Sequence, residues 1–282
     1  MTKDLKILIV GLGLMGGSYA EALTRQGYYV GAVTRSQDSI NYALEKGIIK
    51  SGSICVSAET VGDYDVLVFA LYPHVFVQWI ADNQQFIKPG ALLTDVTGVK
   101  SRLVYEVQGM LRPDLEFVGA HPMAGREVYG VRNATSAIFA GANYIVTPTP
   151  ANTPQAIADV EELGRMLGCA RISRLSPESH DSMIGFLSQL THCIAVALMT
   201  GKDVEHMSAY TGDSFRDLTR IARINEEMWS ELFLLNRDAL LEQMDLFTGQ
   251  MQQLRNAIAT GDIATLRSMM KLSTERRALF DK

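Results

Sequence analysis

A chain of 282 residues with 47% hydrophobic content has room for two modest domains with well-filled cores. Its net charge of −5 is spread along the chain without a basic tract, which argues against nucleic acid as a partner. Cys55, Cys169 and Cys193 stand far apart with no Cys-x-x-Cys spacing; this argues against a disulfide framework or a structural zinc site and fits a reducing cytoplasm.

The charged start, Met1 to Lys6, runs into an apolar stretch too short for a signal peptide or a membrane span. Up to about Leu175 the chain then alternates short β-rich runs with amphipathic segments. The runs are Lys6–Val10, Tyr28–Val33, Val66–Leu71, Ala91–Val96, Glu116–Ala120, Asn143–Thr147 and Cys169–Ile172. Helical patterns such as Met15–Gln26, Asp38–Lys46 and Thr153–Leu167 lie between them. This alternation predicts a mostly parallel sheet with helices on its faces. Val66–Leu71 is apolar on both faces, as an inner strand should be.

The first run leads into Gly11-Leu12-Gly13-Leu14-Met15-Gly16, the G-x-G-x-x-G pattern in its strand–turn–helix setting. Gly11 permits the tight turn, Gly13 lets the backbone approach a pyrophosphate, and Gly16 lets helix and strand pack closely. The helix N-terminus offers free N–H groups to the phosphates. The second run ends at Thr34-Arg35-Ser36, where an NAD site usually carries a carboxylate for the ribose 2′-hydroxyl. The two hydroxyls and the guanidinium suit a 2′-phosphate instead, which predicts a preference for NADP, with NAD as the alternative.

Ligands of open α/β sheets bind beyond the carboxyl ends of the strands. Tyr72-Pro73-His74, the loop Thr94 to Lys100, and His121 should therefore face one crevice. Asp95 reads as a loop anchor and His74 as a surface residue. His121 ends an apolar run just before Pro122, which has no N–H to donate, and stands near Arg126 and Glu127. That placement suits an acid/base group or a substrate anchor, and equally a hydrogen-bonded structural histidine.

After Ser176-Pro177 the pattern is helical, with stretches at about 178–200, 214–223, 226–260 and 263–279. Asn225 is a good N-cap for acidic Glu226-Glu227. The third stretch would reach roughly 50 Å at 1.5 Å per residue. A helix that long suggests a homodimer interface, with a kinked helix in a monomeric bundle as the alternative. In the first stretch Met183, Leu187, Leu190, Ile194 and Leu198 form a stripe for burial, with Ser188 and His192 one turn apart on one face. Arg216, Arg220 and Arg223 share a helix face suited to a carboxylate-bearing substrate; apolar neighbours single out Arg220. The fold class is thus an α/β Rossmann-type dinucleotide-binding domain over 1–175, followed by an all-α domain over 176–282.

Taken together these segments resemble the prephenate/arogenate dehydrogenase family over nearly the whole chain. The resemblance is carried by the loop 11–18, Thr94-Asp95-Val96-Thr97-Gly98-Val99-Lys100, and Gly119-Ala120-His121-Pro122-Met123-Ala124-Gly125-Arg126-Glu127. It continues in Ser176-Pro177-Glu178-Ser179-His180-Asp181, Phe215 to Ala222, and Met228 to Phe233. It implies oxidative decarboxylation of prephenate to 4-hydroxyphenylpyruvate, or of arogenate to tyrosine. His121 would take the ring hydroxyl's proton and Arg220 would hold a carboxylate. His192 and Glu127 would line the substrate site, and the helical half would dimerise. The family often has Gly-Ser where this chain has Thr97-Gly98, so a hydroxyl near the substrate is absent at Gly98. Either Thr97 or Ser101 replaces it, or the site works without it.

Two other readings compete. A 3-hydroxyacid dehydrogenase or imine reductase typically uses a Lys or other group on the first long helix of its second half; here that helix has no Lys before Lys202 and carries His192. A non-catalytic NADP sensor would have no reason to gather His121, His192 and Arg220.

Overall fold

The computed structural model describes residues 1–203 and 205–281. Its first half carries β1 (Lys6–Val10), α1 (Leu14–Arg25), β2 (Tyr29–Val33), α2 (Gln37–Glu45), β3 (Ser51–Ser53), α3 (Ala58–Val61) and β4 (Val66–Phe69). There follow α4 (Pro73–Asn83), β5 (Leu92–Asp95), α5 (Ser101–Met110), β6 (Glu116–Phe117), β7 (Gly119–Pro122), β8 (Asn143–Thr147), α6 (Pro154–Met166) and β9 (Arg171–Arg174). Six strands form one parallel sheet in the order β3-β2-β1-β4-β5-β6. This is the strand order of a dinucleotide-binding sheet, with β1 at its centre.

Strand alternation sends Ile7 and Ile9 into one apolar layer and Leu8 and Val10 into the other. The first layer packs on α1 and α6 through Tyr19, Leu23, Val160 and Leu163. The second packs on α4 and α5 through Phe76, Ile80, Leu103 and Val107.

The run expected as one strand at Glu116–Ala120 is divided between two sheets. Val118 N–H still bonds to Leu93 O of β5. One residue later Gly119 opens a second sheet, β7-β8-β9, in which β7 and β8 are antiparallel. His121 does not end the strand but lies within β7, opposite Ile145. Pro122 does not block the ladder. Met123 N–H bonds to Asn143 O, so the alternation of antiparallel pairs puts Pro122 at a position whose nitrogen faces away from β8.

The second half comprises α7 (Pro177–Ile184), α8 (Leu190–Thr200), α9 (Asp213–Thr219), α10 (Glu226–Leu235), α11 (Arg237–Thr260) and α12 (Ile263–Arg277). Between α7 and α8 the helix continues through one π-turn, Gly185–Gln189, in which Leu190 N–H reaches back to Gly185 O. The single helix expected over 226–260 is broken at Asn236. The cause is a buried polar clamp. Asn236 Nδ2 donates to Asp181 O at 2.9 Å and to Gln189 Oε1 at 2.6 Å, while Gln189 Nε2 donates to Leu232 O at 3.0 Å.

Pro177–Thr200 is long and apolar enough, by length and composition alone, to cross a membrane. Within it, however, His180, Asp181 and Gln189 are buried and bonded to other elements, as in an interior helix. The stripe expected to be buried is only partly so: Met183, Leu187 and Leu198 are exposed, whereas Ile184, Leu190 and Ala195 are inside.

Candidate active site

The turn after β1 is shaped to receive a dinucleotide. Gly11 has φ +97°, and a Cβ there would lie 2.4 Å from Ala70 O. A Cβ on Gly16 would lie 1.9 Å from Gly11 O, so α1 could not approach β1. At Gly13, by contrast, a Cβ would meet nothing within 4 Å. That open space sits at the start of α1, whose first N–H groups have no side-chain cap. The residues present therefore fit a pyrophosphate cradled by backbone N–H groups. Leu12 is buried, and Leu14 and Met15, partly buried, begin α1.

Thr34 N–H bonds to Ser53 O at 3.2 Å, fixing the chain beyond β2. Ser36 Oγ accepts from Ser39 N–H at 3.2 Å and caps α2. Arg35 stands exposed between them.

The loop after β5 is held by a wholly buried ion pair. Lys100 Nζ lies 2.5 Å from Asp95 Oδ2, with both side chains at 0% exposure. Asp95 Oδ2 also accepts from the Thr97 N–H and hydroxyl, and Asp95 Oδ1 accepts from Ala120 N–H at 3.0 Å. Burial pushes the Lys100 ammonium below its ordinary pKa, opposed by the Asp95 carboxylate. The Thr97 hydroxyl is engaged with Asp95, Val99 O and Lys100. This knot leaves Gly98 at the surface of the loop. A Cβ there would lie 3.9 Å from His121 Cε1 and Nε2, and 3.7 Å from Leu232 Cδ1 of α10.

Gly98 therefore sits where the two halves of the chain meet around His121. His121 is partly buried, and its Nδ1 lies 2.9 Å from His180 Nε2 at the start of α7. Burial, with His180 and Lys100 nearby, pushes His121 well below its ordinary pKa. The imidazole is thus neutral around pH 7 and able to take a proton.

The helical half supplies the opposite wall. The His192 ring stacks on Trp229 with centroids 3.8 Å apart, and its Nδ1 bonds to Ser188 O at 2.9 Å. Burial lowers the His192 pKa, with the nearby Glu127 and Arg220 charges acting in opposite senses. Arg220 pairs through Nη1 with Glu127 of the loop after β7. Arg216 pairs with Asp213 on the exposed face of α9.

Two further contacts join the halves. Asn225 Nδ2 donates to Tyr72 Oη at 3.2 Å, and Glu231 accepts from the His74 backbone at 2.7 Å while lying 2.8 Å from its Nδ1. The loops after β4, β5 and β7 thus converge on α10 and the turn at Arg220.

His180, Asp181, Lys100 and Trp229 lie in segments that carry the resemblance, but nothing in the sequence gives these four a role of their own. A signal was present for the first two: adjacent His and Asp at the start of an apolar helix, just after Ser176-Pro177.

Residues 19–172 match the family model described as the prephenate dehydrogenase nucleotide-binding domain, and residues 176–272 match the prephenate dehydrogenase dimerization domain. Over 280 residues the chain is 28% identical to a prephenate dehydrogenase of Bacillus subtilis (strain 168), covering 96% of this chain and 75% of that protein. It is 28% identical over 286 residues to a cyclohexadienyl dehydrogenase of Zymomonas mobilis, covering 98% and 96%. A crystal structure of prephenate dehydrogenase from A. aeolicus, in complex with hydroxyphenyl propionate and NAD+, superposes with a TM-score of 0.88 at 29% identity, covering 99% of both chains. The chain belongs to the prephenate dehydrogenase family and is an NAD(P)-dependent oxidoreductase.

Proposed function

We propose that the protein converts prephenate to 4-hydroxyphenylpyruvate and carbon dioxide, reducing NAD(P), within tyrosine biosynthesis. The observation that carries this reading is the His121 Nε2 position beside Gly98, at the seam between the nucleotide-binding half and the Arg220–Glu127 wall. A nicotinamide cofactor held by the turn Gly11–Gly16 would supply the hydride acceptor for the ring carbon that bears the hydroxyl. His121 Nε2 takes the hydroxyl proton as the carbonyl forms. The bond to the ring carboxylate then breaks, carbon dioxide leaves, its electron pair completes the aromatic ring, and the ring oxygen takes the proton back from His121 as the phenol forms. Aromatisation drives the reaction, so the protein need only align the partners and handle one proton.

Arg220 is the carboxylate anchor in this reading. It exchanges its Glu127 partner for substrate, which a planar guanidinium can grip bidentately. His192, held flat on Trp229, lines the same wall. Thr97 acts through the loop it stiffens, and Gly98 leaves room for the ring.

NADP is the preferred cofactor, with exposed Arg35 and the Thr34 and Ser36 hydroxyls around the 2′-phosphate. The working unit is a homodimer through the helical domain, supported by exposed apolar residues such as Leu246, Met251 and Ile258 on α11. The three free cysteines suit the reducing cytoplasm.

The test is incubation with prephenate, then arogenate, each with NADP and with NAD, following the absorbance of reduced nicotinamide. Turnover of prephenate with a higher kcat/KM for NADP is expected. Turnover of arogenate alone transfers the reading to that substrate, in which an amino group replaces the side-chain keto group. A strong NAD preference removes the role given to Arg35.

A further inference from the structure

We infer that His180 and Asp181 form a positioning relay that fixes the tautomer of His121 and leaves its lone pair on Nε2. The inference deepens the proposed reaction and rests on it for the identity of the proton. Its structural part stands on the hydrogen bonds that link Asp181, His180 and His121.

The chain of donors starts at α5. Asp181 Oδ1 accepts from Lys100 N–H at 2.8 Å, and Oδ2 accepts from Ser101 N–H at 2.8 Å. These are free amides at a ten-residue helix's N-terminus, where a negative charge is favoured. Burial acts against the Asp181 charge, but His180 and the Ser101 bonds hold its pKa below the usual carboxylate value.

Asp181 is therefore ionised and can only accept. Its Oδ1 lies 2.7 Å from His180 Nδ1, so that nitrogen must carry a hydrogen. His180 has no exposed side-chain surface, and burial lowers its pKa although Asp181 opposes the shift. With the ring neutral and Nδ1 protonated, His180 Nε2 is an acceptor. His121 Nδ1, 2.9 Å away, must then donate to it. The only nitrogen of His121 left with a lone pair is Nε2, the one beside Gly98.

The front of the ring does not supply this control. Gly98 has no side chain, and the Thr97 hydroxyl is turned into the Asp95–Lys100 knot. The Thr97 hydroxyl therefore does not replace the one missing at Gly98. The orientation and tautomer of the base are set from behind. As His121 takes the substrate proton, its Nδ1–H remains on His180, and the Asp181 carboxylate stabilises the imidazolium through the intervening ring.

The experiment is ¹⁵N NMR of the imidazoles in the intact protein, with steady-state kinetics on the same samples. In the wild type at neutral pH, His121 should show a protonated Nδ1 and an unprotonated Nε2. His180→Leu removes the acceptor; His121 should then populate both tautomers, and kcat should fall about 10–100-fold, less than the roughly 10²–10⁴-fold expected for losing the base itself. Substrate and cofactor KM should stay within about threefold, as expected when an interaction acts in the transition state alone. His180→Gln restores an acceptor near the Nε2 position and should recover most of the loss.

A wild-type His121 protonated on Nε2 overturns the inference whatever the kinetics. So does equal loss in both variants with an unchanged His121 tautomer, since His180 would then serve only the packing of α7. If the wild type turns over neither prephenate nor arogenate, the proposed reaction fails, while the tautomer measurement still decides the relay.

Discussion

Lys100→Met offers a quantitative test of the knot beneath the site. The substitution keeps a long apolar stem but removes the ammonium from a pair whose two side chains have no exposed surface. Asp95 would keep the N–H groups of Thr97 and Ala120 and lose its counter-charge. Breaking a buried pair in this way costs about 3–5 kcal/mol, because a charge is stranded in the interior. For a chain of this size that corresponds to a fall in Tm of about 6–20 °C, at roughly 2–4 °C per kcal/mol. Replacing both partners, as Asp95→Asn with Lys100→Met, leaves no stranded charge and should cost much less than Lys100→Met alone. The assay is thermal and urea unfolding of the four proteins of the cycle without cofactor. A Lys100→Met variant within about 1 kcal/mol of the wild type would refute the argument. A double variant that loses as much as the two singles combined would refute it equally.

Other outcomes follow from the same geometry. His121→Asn should lower kcat about 10²–10⁴-fold with cofactor binding intact, and undiminished turnover would remove His121 from the proton transfer. The base form of His121 is the active one and its pKa is depressed well below 6.5, so kcat/KM should stay level as pH falls to 6.5 and drop only below it. An acid limb centred at or above 6.5 would contradict the burial argument. Arg220→Gln should raise substrate KM about 10–150-fold, the equivalent of one charge-assisted hydrogen bond, with little change in kcat. An unchanged KM with normal kcat counts against the carboxylate anchor. Light scattering at micromolar concentration should give the mass of a dimer; a monomeric mass would leave the exposed apolar residues of α11 unexplained.

Much of the nucleotide-binding half is legible in the sequence because its signals are local. An apolar run followed by Gly-x-Gly-x-x-Gly forces one turn, and alternating residues sort themselves onto two faces of one sheet. What escapes is either short and polar or decided at a distance. Ser51-Gly52-Ser53 has no apolar signature, yet it forms β3 by pairing with Gly31–Val33. The division at Val118 depends on a second sheet that becomes available only when β8 folds back. The break at Asn236 has no local breaker such as Pro; it reflects two distant acceptors, Asp181 O and Gln189 Oε1.

The site shows the same division. The positions of His121 and Arg220 stood out because each is a charged or titratable group beside apolar neighbours. The relay through His180 and Asp181 joins residues 59 apart in sequence, and no periodicity connects them. The hydroxyl missing at Gly98 is visible, but only the fold shows that the Thr97 hydroxyl is already engaged elsewhere.

The π-turn at Gly185–Gln189 has a consequence for how this helix tolerates insertion and deletion. An α-helix advances about 100° per residue, so one residue more or less re-aims everything beyond it. Here the extra residue lies between the end that presents His180 and Asp181 to α5 and the end that presents His192 to Trp229. The two ends are in different rotational phase. Removing one residue from the turn would restore regular winding with both ends still aimed as they are, whereas rewinding the same residues as unbroken α-helix would swing His192 by roughly 100° off the Trp229 ring. The helix behaves as two short helices locked at a fixed phase offset, and that offset allows a single rod to serve both the back of the base and the wall facing the substrate.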